Sequence, residues 1–137
     1  MAHWLVKSEP ATWSWQQQVE AGAKGTFWNG VRNHTAKQYL MAMKLGDEAF
    51  FYHSNEGKEI VGIVEVIKTF YPDPSDATGK FGMVDFRAVK PLKQAVSLET
   101  IKADARLKDM VLVNNSRLSV QPVSDAEWKA ICKMGGL

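Results

Sequence analysis

Apolar and polar positions along this chain follow two periods, and the switches between them mark the elements. His3–Lys7 carries an apolar centre and predicts a first strand, ended by Ser8-Glu9-Pro10, where the proline favours an extended or turning residue before it. Thr12 is placed to cap a short helix running to about Ala21, with Trp15 and Val19 on one face and Gly22 and Gly25 breaking it. Asn33 is the N-cap of a clearer helix, in which Ala36, Tyr39, Leu40 and Met43 fall at i, i+3, i+4 and i+7. Gly46 lies just past its end.

Glu48–His53 reads as an aromatic strand, and Asn55-Glu56-Gly57 turns the chain into a long strand over about Glu59–Phe70. Ile60, Val61, Ile63 and Val64 put apolar groups on both faces there, the mark of a central strand. Gly62 within it predicts a bulge or the close approach of another backbone. A polar loop over Pro72–Lys80 leads to Met83–Lys90, where Val84, Phe86 and Ala88 alternate with Asp85 and Arg87. Ser97 caps a short helix through Ala103, while Leu107–Val113 fits either helix or strand. Ser119–Val123 is a short last strand. Ser124-Asp125-Ala126-Glu127 is a capping box opening a final helix with Trp128, Ile131 and Cys132 on one face. Mostly antiparallel strands with helices between them predict an α+β fold, a curled sheet or small barrel.

The 137 residues, without repeat, low-complexity tract or evident linker, fit one domain spanning 1–137 with a core of its own. Hydrophobic residues make up 45%, which argues against disorder. No apolar run reaches the length of a membrane span, and no signal-peptide pattern opens the chain, so a cytoplasmic location and no membrane partner are expected. A net charge of +2 is too small for nonspecific coating of nucleic acid. A nucleic-acid role would have to rest on a local pocket.

His3, His34, His53 and Cys132 lack metal-ligand spacing, so no metal site is expected. No phosphate loop, nucleophile elbow or other cofactor motif occurs, and no cofactor is expected. Cys132, the one cysteine, is expected to be a buried structural thiol. Phe27-Trp28-Asn29-Gly30-Val31-Arg32-Asn33 is the richest stretch: indole offers a stacking surface, guanidinium a fork for oxygens, and amide a donor/acceptor edge. Its chemistry fits a pocket or a packed turn alike. Three further polar clusters stand at strand ends: Lys7-Ser8-Glu9-Pro10, His53-Ser54-Asn55, and Asn114-Asn115-Ser116-Arg117-Leu118-Ser119. Pockets form at such ends, although each cluster equally fits a solvated turn.

Together these segments resemble the EVE domain, a branch of the PUA-like superfamily. The matching stretches are Trp4-Leu5-Val6-Lys7-Ser8-Glu9-Pro10, Trp28-Asn29-Gly30-Val31-Arg32-Asn33 and Met43-Lys44-Leu45-Gly46-Asp47-Glu48-Ala49-Phe50-Phe51-Tyr52-His53-Ser54. Gly62, Tyr71-Pro72-Asp73, Met83-Val84-Asp85 and Arg117-Leu118-Ser119-Val120-Gln121-Pro122 extend the match over nearly the whole chain. Asn29, His34 and Lys37 depart from the Asp, Tyr and Arg common in that family.

The resemblance implies a small curled β-barrel flanked by short α-helices, related to YTH and ASCH domains and here of a bacterial, single-domain type. It implies non-catalytic binding of DNA or RNA carrying a modified nucleobase. Ligand-binding residues are then expected among Lys7, Ser8, Trp28, Gly30, Val31, Arg32, Asn33, His53, Ser54, Asn55, Arg117 and Ser119. Lys7, Trp28, Arg32, Asn33 and Ser54 are expected to converge on one cavity. The alternatives are an enzyme acting on RNA or a nucleotide, with Glu9 and His53 as acid/base pair, and a small-molecule sensor domain.

Overall fold

Residues 2–137 are described by a computed structural model. One six-stranded sheet joins the five expected strands and a sixth, Thr26–Trp28, that the sequence pattern does not predict. They are β1 (His3–Ser8), β2 (Thr26–Trp28), β3 (Glu48–His53), β4 (Glu59–Pro72), β5 (Gly82–Ser97) and β6 (Val120–Val123), in the order β2-β5-β4-β3-β1-β6. β1 runs parallel to β3, and every other pairing is antiparallel. The long strand β4 is interior, as its two apolar faces predict.

Side chains alternate across this sheet and feed two cores. Trp4, Val6, Ala49, Phe51, Val64, Val66, Val84 and Phe86 enter the first; Leu5, Phe50, Tyr52, Ile60 and Ile63 enter the second. Helix α2 (His34–Ala42) closes the first core with Ala36 and Leu40. Helices α3 (Leu98–Ala103), α4 (Val111–Asn114) and α5 (Asp125–Met134) close the second through Ile101, Leu112, Trp128 and Ile131. The stretch Leu107–Val113, ambiguous in sequence, thus contributes to a helix.

The α+β architecture is as expected, but the sheet does not close into a barrel. β2 and β6 remain its two edges. They are three and four residues long, and α2 packs against β4, β5 and β6, occupying the side on which closure would occur. A second correction concerns α1 (Trp15–Glu20). Its cap is Ser14 rather than Thr12: the Gln17 N–H donates to the Ser14 hydroxyl, and the Ser14 N–H donates to the Gln17 side chain. Val19 is exposed, so only Trp15 packs inward from the expected pair. Cys132 is half-buried against the second core, and burial raises its thiol pKa.

Gly62 shows the bulge its position predicts, but the group that approaches it is a side chain and not a backbone. The pairing of β4 with β5 shifts register between Ile60 and Gly62. A Cβ on Gly62 would also overlap the Trp15 ring. No helix among the described residues is long and apolar enough to cross a membrane.

Candidate nucleic-acid interface

The first strand ends in a turn that builds an aromatic wall. Thr12 and Trp13 N–H groups both donate to the Glu9 carbonyl at 2.9 Å. The buried Ser8 hydroxyl donates to the Trp13 carbonyl at 2.5 Å. The Trp13 indole N–H donates to Gln18 at 2.8 Å, and the fully buried Gln18 amide donates in turn to the Phe86 carbonyl at 3.1 Å. Trp13 is therefore oriented by a chain of bonds reaching β5.

Trp28 stands at the end of β2, which pairs with β5 through Trp28 and Val84. It is 8% exposed, and its ring packs edge-on against Phe51 and Phe86, with centroids 5.6 and 5.4 Å away. Trp28 is thus a packed residue and a cavity wall at once. The cavity holds about 340 Å³ and is lined by Lys7, Ser8, Glu9, Thr12, Trp13, Thr26, Phe27, Trp28 and Asn29. Phe27, 54% exposed, belongs to its lining. Three aromatic residues and a few polar ones line this concave space, a composition that suits a flat heteroaromatic ligand able to stack on a ring and be oriented by polar edges.

A second cleft, of about 430 Å³, shares Lys7 and Glu9 with the first. Tyr52, Ser54, Asn55, Lys58, Leu98, Lys102, Leu112 and Ser116 complete its lining. Lys7 donates to the Ser116 carbonyl at 2.7 Å and lies 5.8 Å from the Tyr52 ring centroid; burial lowers its pKa. Lys7 is the hinge between the two spaces.

The expected convergence of five residues is only partly present. Lys7, Ser8 and Trp28 share the aromatic cavity, while Ser54 and Asn55 line the second cleft with Lys7. Arg32 and Asn33 line neither. The Arg32 guanidinium donates to Asp73 at 3.1 Å and to Ser75 at 3.0 Å. The Gly30 N–H donates to the same Asp73 carboxylate at 2.9 Å. Burial alone would raise the Asp73 pKa, but the bonds from Ser75, Gly30 and Arg32 outweigh it and hold the carboxyl at about 2. Asn33 accepts from the Ala36 N–H at 2.9 Å as the cap of α2, and Val31 is buried in the first core.

His53 also lies outside both linings. Its Nε2 accepts the Trp15 N–H at 3.0 Å, and burial lowers its pKa against an opposing pull from Glu59. Glu9 lines both spaces without it. Arg117 is exposed and lines neither; the Ser119 carbonyl accepts the Lys7 N–H at 3.0 Å. No group of three or more His, Cys, Asp or Glu residues with metal-binding geometry occurs among the described residues.

Trp13 is the wall that sequence reasoning missed. Its signal was the Trp13-Ser14-Trp15 triplet next to Ser8-Glu9-Pro10, with the S-x-x-Q box showing that Trp13 precedes the helix.

Comparison with known proteins gives this geometry a setting. The family model described as EVE domain matches residues 2–134. An NMR structure of a protein from Rhodopseudomonas palustris is 63% identical, with a TM-score of 0.94 over 99% of this chain and 94% of that one. Human thymocyte nuclear protein 1 is 34% identical over 97% of this chain and 73% of its own length. The crystal structure of human THYN1 protein in complex with 5-methylcytosine containing DNA has a TM-score of 0.90 at 34% identity, covering 100% of this chain and 99% of that one. A YTH domain from Zygosaccharomyces rouxii, solved in complex with N6-methyladenosine RNA, shares the fold at a TM-score of 0.58 and 19% identity, over 98% and 86% of the two chains.

Proposed function

The chain belongs to the EVE domain family, and from that premise we propose that it binds nucleic acid by taking a modified nucleobase into the cavity of Trp13, Phe27 and Trp28. The observation that carries this reading is the aromatic lining beside Lys7 and Ser8, in a chain similar over its whole length to a protein solved with 5-methylcytosine containing DNA. Stacking on an aromatic side chain is worth about 1–3 kcal/mol per base. Extruding a paired base costs a few kcal/mol, so an unpaired modified base binds more readily than one in duplex. Lys7 supplies the cation at the cavity rim and Asn29 a donor/acceptor edge. Ser8 acts mainly through Trp13, since its hydroxyl is committed to the Trp13 carbonyl. Gly30, Val31, Arg32 and Asn33 hold the cavity's neighbour segment in place rather than line it.

A screen of modified and unmodified single-stranded oligonucleotides, at fixed and stated salt, tests the reading. At least one modified base should bind more tightly than its parent. Trp13→Ala should weaken that binding by about 5- to 140-fold, the equivalent of 1–3 kcal/mol. Phe27→Ala should weaken it less, its ring being half in solvent. Affinity is compared at a temperature where the variants remain folded. Undiminished binding by folded Trp13→Ala and Phe27→Ala would remove the stacking cavity from the reading.

A further inference from the structure

The second cleft has features the aromatic cavity lacks. It contains one aromatic ring, that of the buried Tyr52, with Leu98 and Leu112 also in the lining, and exposed lysines at 58 and 102. Among the described residues neither lysine is in an ion pair. Lys58 and Lys102 also line the adjoining hollow together with Gly57, Ser97, Leu98 and Glu99, so two cations border a continuous depression. Asn55 and Lys58 are, in addition, the non-glycine residues with positive φ among those described, at 68° and 48°. Asparagine takes that conformation readily, whereas a lysine held there costs free energy, and such residues cluster at ligand clamps. The loop is fixed at both ends: the Ser54 N–H donates to the Ser8 carbonyl, and the Leu98 N–H donates to the Lys58 carbonyl, each at 2.9 Å. One end is tied to a residue of the aromatic cavity, and the other to the helix carrying Lys102.

We propose that this cleft carries the sugar-phosphate backbone leading away from the captured base, with Lys58 and Lys102 as its phosphate contacts. The inference rests on the base-binding reading of the first cavity. An ammonium is a compact charge with three donors, suited to a phosphate that can approach from several directions. Lys7 is already engaged by the Ser116 carbonyl, which leaves the outer pair for phosphates. Lys7 and Glu9 both stand where the two spaces meet and offset each other's charge, so the excess positive charge lies further out, at Lys58 and Lys102. Glu99, on the far hollow, bounds the track on its other side.

The test uses the full chain and a double variant, Lys58→Asn with Lys102→Gln; asparagine tolerates the positive φ and removes the charge. Binding is measured across salt for single-stranded DNA and RNA oligonucleotides with and without one 5-methylcytosine, and for the phosphate-free nucleoside 5-methyl-2′-deoxycytidine. Losing two single-strand phosphate contacts should flatten the slope of log affinity against log salt by about 1.4. Between about 50 and about 200 mM salt the wild type then loses about 7-fold more affinity than the variant. Nucleoside binding should be the same in both proteins. An unchanged slope, or no oligonucleotide binding by the wild type at low salt, overturns the proposal. Failure of the base reading looks different: no modified oligonucleotide of the screen binds more tightly than its parent, whatever the slope does. DNA and RNA arms separate the two sources of phosphate.

Discussion

Asp73 ties the Trp28–Asn33 stretch to the segment after β4 through a carboxylate with no side-chain exposure. Its pKa of about 2, against an ordinary 3.8, makes this link a source of stability. For a depressed carboxyl the contribution is complete above the unfolded pKa and is lost as pH falls through the folded one, here between about 4 and 2. Asp73→Asn removes the charge and faces an amide N–H₂ or a single oxygen toward three sets of donors. A loss of about 1–3 kcal/mol in urea unfolding at neutral pH is expected. The gap between wild type and variant should shrink as pH falls below 4, a comparison that cancels the other titrating carboxyls. A gap constant down to pH 2 would mean that the carboxylate's charge contributes nothing. Arg32 illustrates the limit of reading residues from sequence. Its value as a cation was legible, but its partner lies 41 positions away, and only the fold reveals that the guanidinium is engaged there.

Elements with local determinants were legible apart from the start of α1, where the sequence points to Thr12 but Ser14 supplies the cap; those set by distant pairing were not. The caps at Asn33, Ser97 and Ser124 bond to N–H groups three residues on, within reach of any sequence window. β2 is only Thr26–Trp28, too short to show a period, and exists because β5 pairs with it. β5 runs past Pro91 to Ser97, although proline usually ends a strand. Pro91 is tolerated because it faces Gly62 beside the register shift of β4. Gly62 therefore matters to two elements, the bulged strand and the Trp15 ring of α1 lying against it. Gly62→Ala should force the indole outward and destabilise the fold by about 1–3 kcal/mol. Trp15→Leu in the same background should recover part of that loss by making room. If Gly62→Ala melts like wild type, the close packing of α1 on β4 is not limiting.

At the scale of the molecule, one sheet serves two cores with different duties. The first contains Trp28 and Phe51 and has Trp13 packed against it, so its packing also shapes the aromatic cavity. The second is closed by α3, α4 and α5; Ile131, fully buried on α5, is absent from the linings of both the cavity and the cleft. Distance from the site makes Ile131 a probe of whether scaffold stability and binding separate. Ile131→Ala leaves a void in a packed interior and should cost about 2–5 kcal/mol. Total stability of a protein this size is about 5–15 kcal/mol, so most molecules stay folded at low temperature even after that loss. Affinity for a modified oligonucleotide, measured well below the lowered melting point, should then match wild type, while Trp13→Ala loses affinity at the same temperature. The reason is geometric: β1 and β3 transmit position to the cavity through backbone pairing along their whole lengths, and a void on the opposite face leaves those hydrogen bonds in place. A fall in affinity by Ile131→Ala comparable to that of Trp13→Ala, in protein shown to be folded, would mean that the two cores are coupled through the sheet and that the site does not stand on the first core alone.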